Sequence, residues 1–312
     1  MSDKLKLGLI IDPEFYMLER SVCALTPQLI RAFCRTFDTR IIWDQRRYDE
    51  LCTEVDFLVS FEPKFAAPLL KWQRVGLWHN TLPACPCYVM MSDPHNDPWR
   101  ESYFLSQGLD FILGLYYHPT LRHFTQISPS CLVHFPWPVP EQWINTDAIR
   151  YRGQQEITIF GAAQSDAYTV RNWCRQQPGV HAYANSGVEN KTMDDQEFFV
   201  WLQGFDAVIA AGSEDPRYRL TTPKYFETAA AGSLLFAQAT DDLERLGFRD
   251  EVNCLVFTQA TFSEKAAAYL ANPANERYLR IRHAGRDLIL ARHTIQARLQ
   301  ELDAHVRSWK GR

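Results

Sequence analysis

The chain has 312 residues, 46% of them hydrophobic and 22% charged, which is typical of folded globular proteins and sufficient for two domains or one large one. The formal net charge is −4 with acids and bases mixed along the sequence, so the composition gives no indication of a nucleic-acid-binding surface. No apolar run reaches the length of a membrane span, and Met1 leads into a strand-like segment without a secretory signal. We therefore expect a cytoplasmic protein, with peripheral membrane contact left open.

The eight cysteines are expected to be free thiols in a reducing compartment. Only Cys85 and Cys87 are closely spaced, and a single C-x-C pair is a poor zinc signature. The sequence therefore predicts no metal site.

The first half of the chain alternates short apolar runs with helical or polar segments, which predicts a doubly wound α/β domain. A strand over 5–11 is followed by a long loop and by a helix over about 26–36. Short helices are predicted over 48–51 and 68–72. The further predicted strands are 40–43, 56–61, 75–78, 88–91, 111–115 and 132–135.

A polar cluster follows the fifth of these strands and contains Asp93 and His95. Such sheets place their chemistry at the carboxyl ends of strands, so these two residues are candidate catalytic groups. The alternative is an Asx-Pro turn with a helix cap at Asp97. His79 and His118 follow other predicted strands at the same edge and are further candidates, with a satisfied turn histidine as the alternative for each.

Three prolines within residues 136–140 fix an extended segment, and we place a domain boundary near residue 150. A second series of strands begins at 157–161, where Gly161 permits close approach of a phosphate or of backbone. A helix is predicted to begin near Tyr168, a second one covers 193–202, and a strand covers 206–210.

The stretch 221–232 lies between two buried strands and predicts a loop that opens a helix, with Thr222 as the cap and Pro223 in the first turn. Helix N-termini hold anions, and Lys224 adds a cation there. Glu227, one turn later, can accept hydrogen bonds from sugar hydroxyls. The alternative is an ordinary capped helix with a Lys–Glu surface pair.

A polar loop over 212–219 precedes this stretch and contains Ser213, Arg217 and Arg219. Guanidinium groups suit diphosphate binding, and solvated loop arginines are the alternative. The C-terminal region is helical over 262–270 and 275–306, and its residues Arg292, His293 and Thr294 are interpreted as a structural tie.

Residues 157–258 resemble the nucleotide-sugar half of glycosyltransferases with the GT-B fold, in the family 4-like group that includes CgeB-type proteins. The motifs that carry this resemblance are Lys224-Tyr225-Phe226-Glu227, Gly232, Leu246-Gly247-Phe248 and the segment 253–257. Tyr168 with Arg171, and His293-Thr294 with Arg298, match further positions. The resemblance implies two Rossmann-like domains that face each other across a cleft. Residues 1–150 would form the acceptor-side domain, and residues 151–312 the nucleotide-sugar domain. The last helix of the second domain would pack back on the first.

The resemblance also implies roles for individual residues. Lys224, Gly161 and one of Arg217 or Arg219 would hold the diphosphate, Glu227 would hold the ribose, and Asp93 or His95 would act at the sugar or the acceptor. Ser213, Thr222 and Tyr225 complete the expected nucleotide-sugar site. The family usually has two glutamates eight positions apart, but position 219 is Arg here, so Glu214 or Asp93 would have to replace the first.

The function that follows is transfer of a sugar, of the hexosyl type, from a nucleoside-diphosphate sugar to an unidentified acceptor. The resemblance implies retention of anomeric configuration and no need for a metal or for any cofactor beyond the donor substrate. Two alternatives stay open: a nucleotide-sugar epimerase of the same fold, and a non-catalytic nucleotide-sugar-binding protein. A dinucleotide-dependent dehydrogenase is disfavoured because neither first strand is followed by G-x-G-x-x-G.

Overall fold

The structure is a computed structural model that describes residues 4–11, 25–61, 83–95, 99–162, 166–183 and 195–310. The chain forms two compact units, Met1–Pro136 with Ile295–Arg312, and Trp137–Thr294. The predicted strand 75–78, helix 68–72, loop 12–24, His79 and Asp97 lie outside the described residues.

The first unit contains a parallel sheet with helices between its strands. In chain order its elements are β1 (Lys6–Ile10), α1 (Leu25–Thr36), β2 (Asp38–Ile42), α2 (Gln45–Leu51), β3 (Phe57–Phe61), β4 (Cys87–Met91), α3 (Trp99–Gln107), β5 (Phe111–Gly114), α4 (His118–His123) and β6 (Leu132–His134). The strand order is β2-β1-β3-β4-β5-β6, and β1 pairs in parallel with both β2 and β3. Every residue of β3 and β4 is buried, as expected for parallel strands covered on both faces.

The second unit repeats this architecture. Its elements are β7 (Ile157–Ile159), α5 (Thr169–Cys174), β8 (Val180–Ala182), α6 (Asp195–Gln203), β9 (Ala207–Ala210), α7 (Pro223–Ala230), β10 (Leu234–Gln238), β11 (Leu255–Phe257), α8 (Gln259–Ala271) and α9 (Glu276–Arg292). The parallel order is β11-β10-β9-β7-β8, so the winding reverses between β7 and β9. In such sheets the crevice at this reversal is where ligands bind.

The segment after the three prolines belongs to the second unit, so the division falls earlier than the predicted boundary near residue 150. The reason is packing. Asn145 donates its backbone N–H to Ala230 O at 2.9 Å and its side-chain amide to Ala231 O at 3.1 Å. Ile149 lies against Gly232, where an added Cβ would meet its side chain at 3.0 Å.

The C-terminal region is two helices and not the single segment 275–306 that the sequence predicts. The helix α9 ends at Arg292, and α10 (Ile295–Ser308) follows after His293 and Thr294. His293 is fully buried, its Nε2 lies 2.8 Å from Leu246 O, and its carbonyl accepts a hydrogen bond from the Val139 N–H at 2.7 Å. The His293 carbonyl would otherwise accept the next hydrogen bond of the helix, so the helix ends here.

The last helix belongs to the first unit. His305 Nδ1 on α10 lies 2.8 Å from the hydroxyl of Tyr88 on β4. The His305 ring also contacts Phe111 of β5 edge to face, with 4.7 Å between centroids. In the described part of the chain, no helix combines the length and apolarity needed to cross a membrane.

The fold class is therefore the one that the sequence predicts: α/β, with two doubly wound parallel sheets flanked by helices. The short strand β8 is absent from the sequence prediction. It lies at the edge of its sheet, and only its first residue is even partly buried, so it lacks the apolar run that marks the other strands.

Candidate functional site

The carboxyl end of β7 brings together two residues that the sequence places 63 positions apart, Gly161 and Lys224. Gly161 has a φ of +102°, a conformation that glycine adopts without strain. A Cβ added there would lie 2.5 Å from Lys224 Nζ and 2.8 Å from its Cε. The ammonium group also lies 4.5 Å from the centroid of the Phe160 ring. The close approach that Gly161 permits is therefore made by the Lys224 side chain.

Two arginines of α5 and its C-terminal end surround the same backbone segment. Arg171 donates from Nε to Ala211 O at 2.9 Å and from Nη1 to Ala162 O at 2.8 Å, and its guanidinium lies over the Tyr168 ring at 4.2 Å. Arg175 donates from Nη2 to Gly161 O at 2.5 Å. The residues around Gly161 thus include three cationic side chains.

Neither arginine has a carboxylate partner in the described part of the chain. Burial lowers the pKa of Arg171, and burial likewise lowers the pKa of Arg175. Both shifts report that removal from water disfavours the charged guanidinium. An anion bound beside Gly161 would offset this unfavourable term, so the electrostatics of the site favour a negatively charged ligand.

The N-terminus of α5 is occupied by the protein itself. The N–H groups of Val170 and Arg171 donate to Gly212 O at 3.0 and 3.1 Å. The sequence predicts phosphate binding at the turn between β7 and this helix. The structure places three cationic side chains at that turn, while the first helical N–H groups donate to the loop after β9.

The helix α7 begins after Thr222, as the sequence predicts, but the expected cap is wrong in its details. The Thr222 side chain makes no capping hydrogen bond, and its Oγ1 is buried without a partner among the described residues. Pro223 occupies the first position, where no N–H is required. Lys224 and, one turn later, Glu227 are half-buried on this helix.

Tyr225 is a correction to the predicted site. Its side chain is fully buried, and its hydroxyl donates to Gln238 O at 3.0 Å. Burial raises the pKa of Tyr225, so the phenol keeps its proton. The residue that lies beside Lys224 in the motif is therefore part of the core.

Ser213 organises the loop after β9. It is buried, its Oγ lies 2.9 Å from Thr169 Oγ1, and it accepts from the Asp215 N–H at 3.1 Å. Gln238 at the end of β10 holds the same loop, because it accepts from the Gly212 N–H at 2.7 Å and donates to Ser213 O at 2.9 Å. These bonds fix the backbone at the reversal between β7 and β9.

The two loop arginines form ion pairs with carboxylates. Arg217 pairs with Asp215 at 2.6 Å and is largely exposed. Arg219 pairs with Asp241 at 3.0 Å and lies 4.0 Å from Glu214. Each of these two arginines therefore has a carboxylate partner, whereas Arg171 and Arg175 have none in the described part of the chain.

The candidate catalytic residues lie in the first unit, after β4. The Asp93 carbonyl accepts from Arg100 Nη1 at 2.8 Å, and the His95 ring lies 6.4 Å from that of His123. His118 begins α4, is exposed, and contacts the Tyr117 ring at 5.2 Å. Both Asp93 and His95 thus follow the carboxyl end of a parallel strand.

Sequence reasoning missed Arg175 and Gln238. Arg175 lies four positions after Arg171, which is the spacing of one helical face, so the pair could have been found from the sequence. Gln238 carries no such signal, because its importance depends on which loop lies over the end of β10. Over the described ranges, no three His, Cys, Asp or Glu side chains form a group that could hold a metal ion.

The chain belongs to the glycosyl transferase-like family, whose model matches residues 143–304, just over half of the chain. The comparison with curated proteins gives no match.

The chain is similar over its whole length to several solved structures. A glycosyltransferase from Rickettsia africae has 10% identity and a TM-score of 0.57, with 97% of this chain and 98% of that chain covered. HepE from Anabaena, in complex with UDP-glucose, has 9% identity and a TM-score of 0.59, with 98% and 100% covered. An α-glucosyltransferase in complex with UDP-glucose and DNA has 9% identity and a TM-score of 0.66, with 97% and 100% covered. At these identities the likeness establishes the GT-B fold.

Proposed function

We propose that this protein transfers a glycosyl group from a nucleoside-diphosphate sugar to a hydroxyl-bearing acceptor. The observation that carries the proposal is the cation cluster at Gly161, made of Lys224, Arg171 and Arg175 at the reversal of the second sheet. Departure of a nucleoside diphosphate develops negative charge on its β-phosphate. Cationic groups already fixed at that position would stabilise the transition state without a reorganisation cost.

The donor to test first is UDP-glucose. HepE and the α-glucosyltransferase, which share this fold, are both seen in complex with UDP-glucose. In our proposal Glu227 accepts hydrogen bonds from the ribose hydroxyls, because it follows Lys224 by one turn on the same helix. Asp93 or His95 would contact the transferred sugar or the acceptor hydroxyl, and the family resemblance favours retention at the anomeric carbon.

The side chains of the cluster would stabilise the negative charge that develops on the β-phosphate. We therefore propose that turnover does not need a divalent cation. With UDP-glucose as donor, hydrolysis or transfer should continue in excess EDTA at an unchanged rate. Loss of activity in EDTA that is restored by added Mg²⁺ or Mn²⁺ would contradict this part of the proposal.

The test is a thermal-shift panel of UDP-, GDP-, ADP- and dTDP-sugars. A ligand that binds only the folded state raises the melting temperature, and at a hundred times its Kd it stabilises by about 2.7 kcal/mol. We expect one nucleotide class to raise the melting temperature of the wild type and Lys224→Ala to abolish that shift. Lys265→Ala, which removes an exposed pair with Asp250 in the same unit, should keep it.

The same donors separate the two alternatives. An epimerase would convert the donor into a sugar isomer without any acceptor, which NMR of the incubated donor detects. A non-catalytic binder would give the thermal shift but no released nucleoside diphosphate with any acceptor. Absence of a shift with all four nucleotide classes would overturn the proposed function itself.

A further inference from the structure

The residue before Gly161 presents an aromatic ring to the cation cluster. Phe160 follows β7 and is buried, and the centroid of its ring lies 4.5 Å from Lys224 Nζ. A cation within about 6 Å of a ring centroid is attracted by the negative face of the ring, more strongly where water is excluded. Phe160 and Lys224 therefore form a cation–π contact at the site already described.

The helix α6 fixes the plane of this ring. Trp201 and Phe198, both on α6, contact Phe160 with centroids 5.1 and 6.0 Å away and interplanar angles of 76° and 72°. Edge-to-face contacts of this kind are the arrangement that the charge distribution of aromatic rings favours. Trp201 is held in turn by Phe205, 4.7 Å away between centroids. The ring that meets Lys224 is thus oriented by packing within the second unit.

Two like charges converge beside this ring. Lys224 Nζ and Arg171 Nη1 lie 2.5 and 3.2 Å from the position that a Cβ on Gly161 would take. Like charges this close repel each other, particularly where burial reduces screening by water. Arg171 is buried, and its guanidinium lies 4.2 Å from the centroid of the Tyr168 ring. Each of the two cations therefore lies against a ring face, which attracts the cation without adding negative charge to the site.

We propose that Phe160 is a positioning residue that holds the Lys224 ammonium at Gly161 against repulsion from Arg171, so that the cation is in place before a diphosphate binds. This inference rests on the proposed function and deepens it, since it assigns what keeps the phosphate-binding cation in position. Ordering a long side chain on binding costs affinity, and a side chain that is already ordered avoids that cost. The role does not require Phe160 to be the sole contact of Lys224.

The experiment replaces Phe160 by 4-fluoro-, 3,5-difluoro- and 3,4,5-trifluorophenylalanine, which withdraw electron density from the ring face and nearly preserve its shape. Each is made with Lys224 and with Lys224→Met, which has a similar length and no charge. We expect the melting temperature to fall with each added fluorine in the lysine series relative to the methionine series. Parallel behaviour of the two series would overturn the inference, because the ring would then not attract the charge.

Calorimetric titration of UDP into the lysine series measures the consequence for binding. We expect the affinity to fall in the same order, by roughly fivefold for the trifluoro variant, the usual effect of losing a partly desolvated cation–π contact. If the thermal-shift panel assigns another nucleotide class, its diphosphate replaces UDP. Unchanged affinity across the series, together with a falling melting temperature, would show a purely structural contact and overturn the positioning role.

Trifluorophenylalanine at Phe262 is the matched control. Phe262 is fully buried in the same unit and contacts the rings of Phe257, Phe236 and Trp173, and no cation of the described residues lies over it. This variant should bind UDP with the affinity of the wild type. An equal loss at Phe262 would assign the effect to fluorination as such and overturn the inference while leaving the proposed function standing. Failure of the wild type to bind any of the four nucleotide classes would overturn both.

Discussion

At the residue scale, Gly161 is constrained both by its backbone conformation and by a neighbouring cation. Its φ of +102° and the Lys224 ammonium that occupies the space of a Cβ are separate reasons for glycine. The chain offers a control for the first reason alone, because Gly153 has a φ of +94° and nothing within 4 Å of its absent Cβ. Comparing the two glycines therefore separates backbone strain from displacement of the cation.

Alanine at either glycine should lower the unfolding free energy by roughly 1–2 kcal/mol, the cost of a left-handed conformation for a residue with a Cβ. Only Gly161→Ala should also weaken nucleotide binding, because its methyl group must push Lys224 Nζ aside. Chemical denaturation and titration calorimetry give the two quantities. Equal nucleotide affinity in the two variants would show that the position of Lys224 at Gly161 does not matter for the ligand.

The place of Tyr225 in the core can be tested by mutation. Tyr225→Phe should lower stability by about 1–3 kcal/mol, because it leaves the buried Gln238 carbonyl without its donor. Nucleotide affinity, measured well below the melting temperature, should change by less than about twofold. A large loss of affinity with unchanged stability would place the tyrosine at the ligand after all.

The sequence predicts that Lys224 and Tyr225 both belong to the nucleotide-sugar site. In the structure Lys224 lies beside Gly161, whereas Tyr225 is fully buried in the core. Adjacent helical positions point in directions about 100° apart, so a motif cannot tell which side chain faces the core. The same holds for Thr222, whose residue type and position are right for a cap although its hydroxyl makes no such bond. Motifs identify the helix, and only packing identifies its functional face.

At the element scale, the start of β9 and the helix α9 are joined by a buried ion pair. Asp206 is fully buried and accepts from the N–H groups of Arg152 and Gln154 and from Arg282 Nη1 at 2.8 Å. Arg282 also donates from Nε to Gly232 O at 2.7 Å. One guanidinium thus links α9 to the strand and to the turn before β10.

Arg282→Ala should lower the unfolding free energy by about 3 kcal/mol, because it leaves the buried Asp206 carboxylate with Arg152, 3.8 Å away, as its remaining cationic neighbour. Arg280→Ala is the control on the same helix, since its pair with Glu276 is largely exposed and should contribute less than about 1 kcal/mol. Urea denaturation of the two variants measures the difference. Similar small effects in both would show that Asp206 is satisfied by its backbone donors and Arg152.

The contact between α10 and β4 should respond to pH. Burial raises the pKa of the Tyr88 hydroxyl, so Tyr88 donates and the Nδ1 atom of His305 accepts, which requires that nitrogen to be unprotonated. Burial lowers the pKa of His305 below its usual 6.5. Between the lowered pKa of the folded chain and 6.5, the unfolded chain binds a proton that the folded chain does not. The unfolding free energy therefore falls as the pH falls below 6.5.

We expect the unfolding free energy of the wild type to decline between about pH 7 and pH 5.5 more steeply than that of His305→Gln, which lacks this titration. His181→Gln is the control because that ring is exposed. Melting temperatures across the pH range measure both slopes. A slope in His305→Gln as steep as that of the wild type would assign the pH response to other groups.

At the scale of the whole molecule, the sequence predicts the fold better than the site. The apolar runs at β3, β4, β9 and β10 are long and fully buried, and alternation with helices leaves few arrangements other than doubly wound sheets. The site depends on contacts between distant segments, such as Lys224 with Gly161 and Arg219 with Asp241. No periodicity or local motif encodes those contacts, so only the folded chain reveals them.

The discontinuity of the first unit has a consequence for how the chain is made. Residues 295–312 complete a unit whose sheet lies entirely within the first 136 residues, and the whole second unit is synthesised in between. During translation, Tyr88 and Phe111 therefore lack the helix that covers them until the whole second unit, Trp137–Thr294, has been synthesised. A fragment ending at residue 136 should aggregate, and a peptide of residues 295–312 supplied in trans should reduce that aggregation. Emergence of α10, and not emergence of the first sheet, would then set the moment at which this unit becomes native.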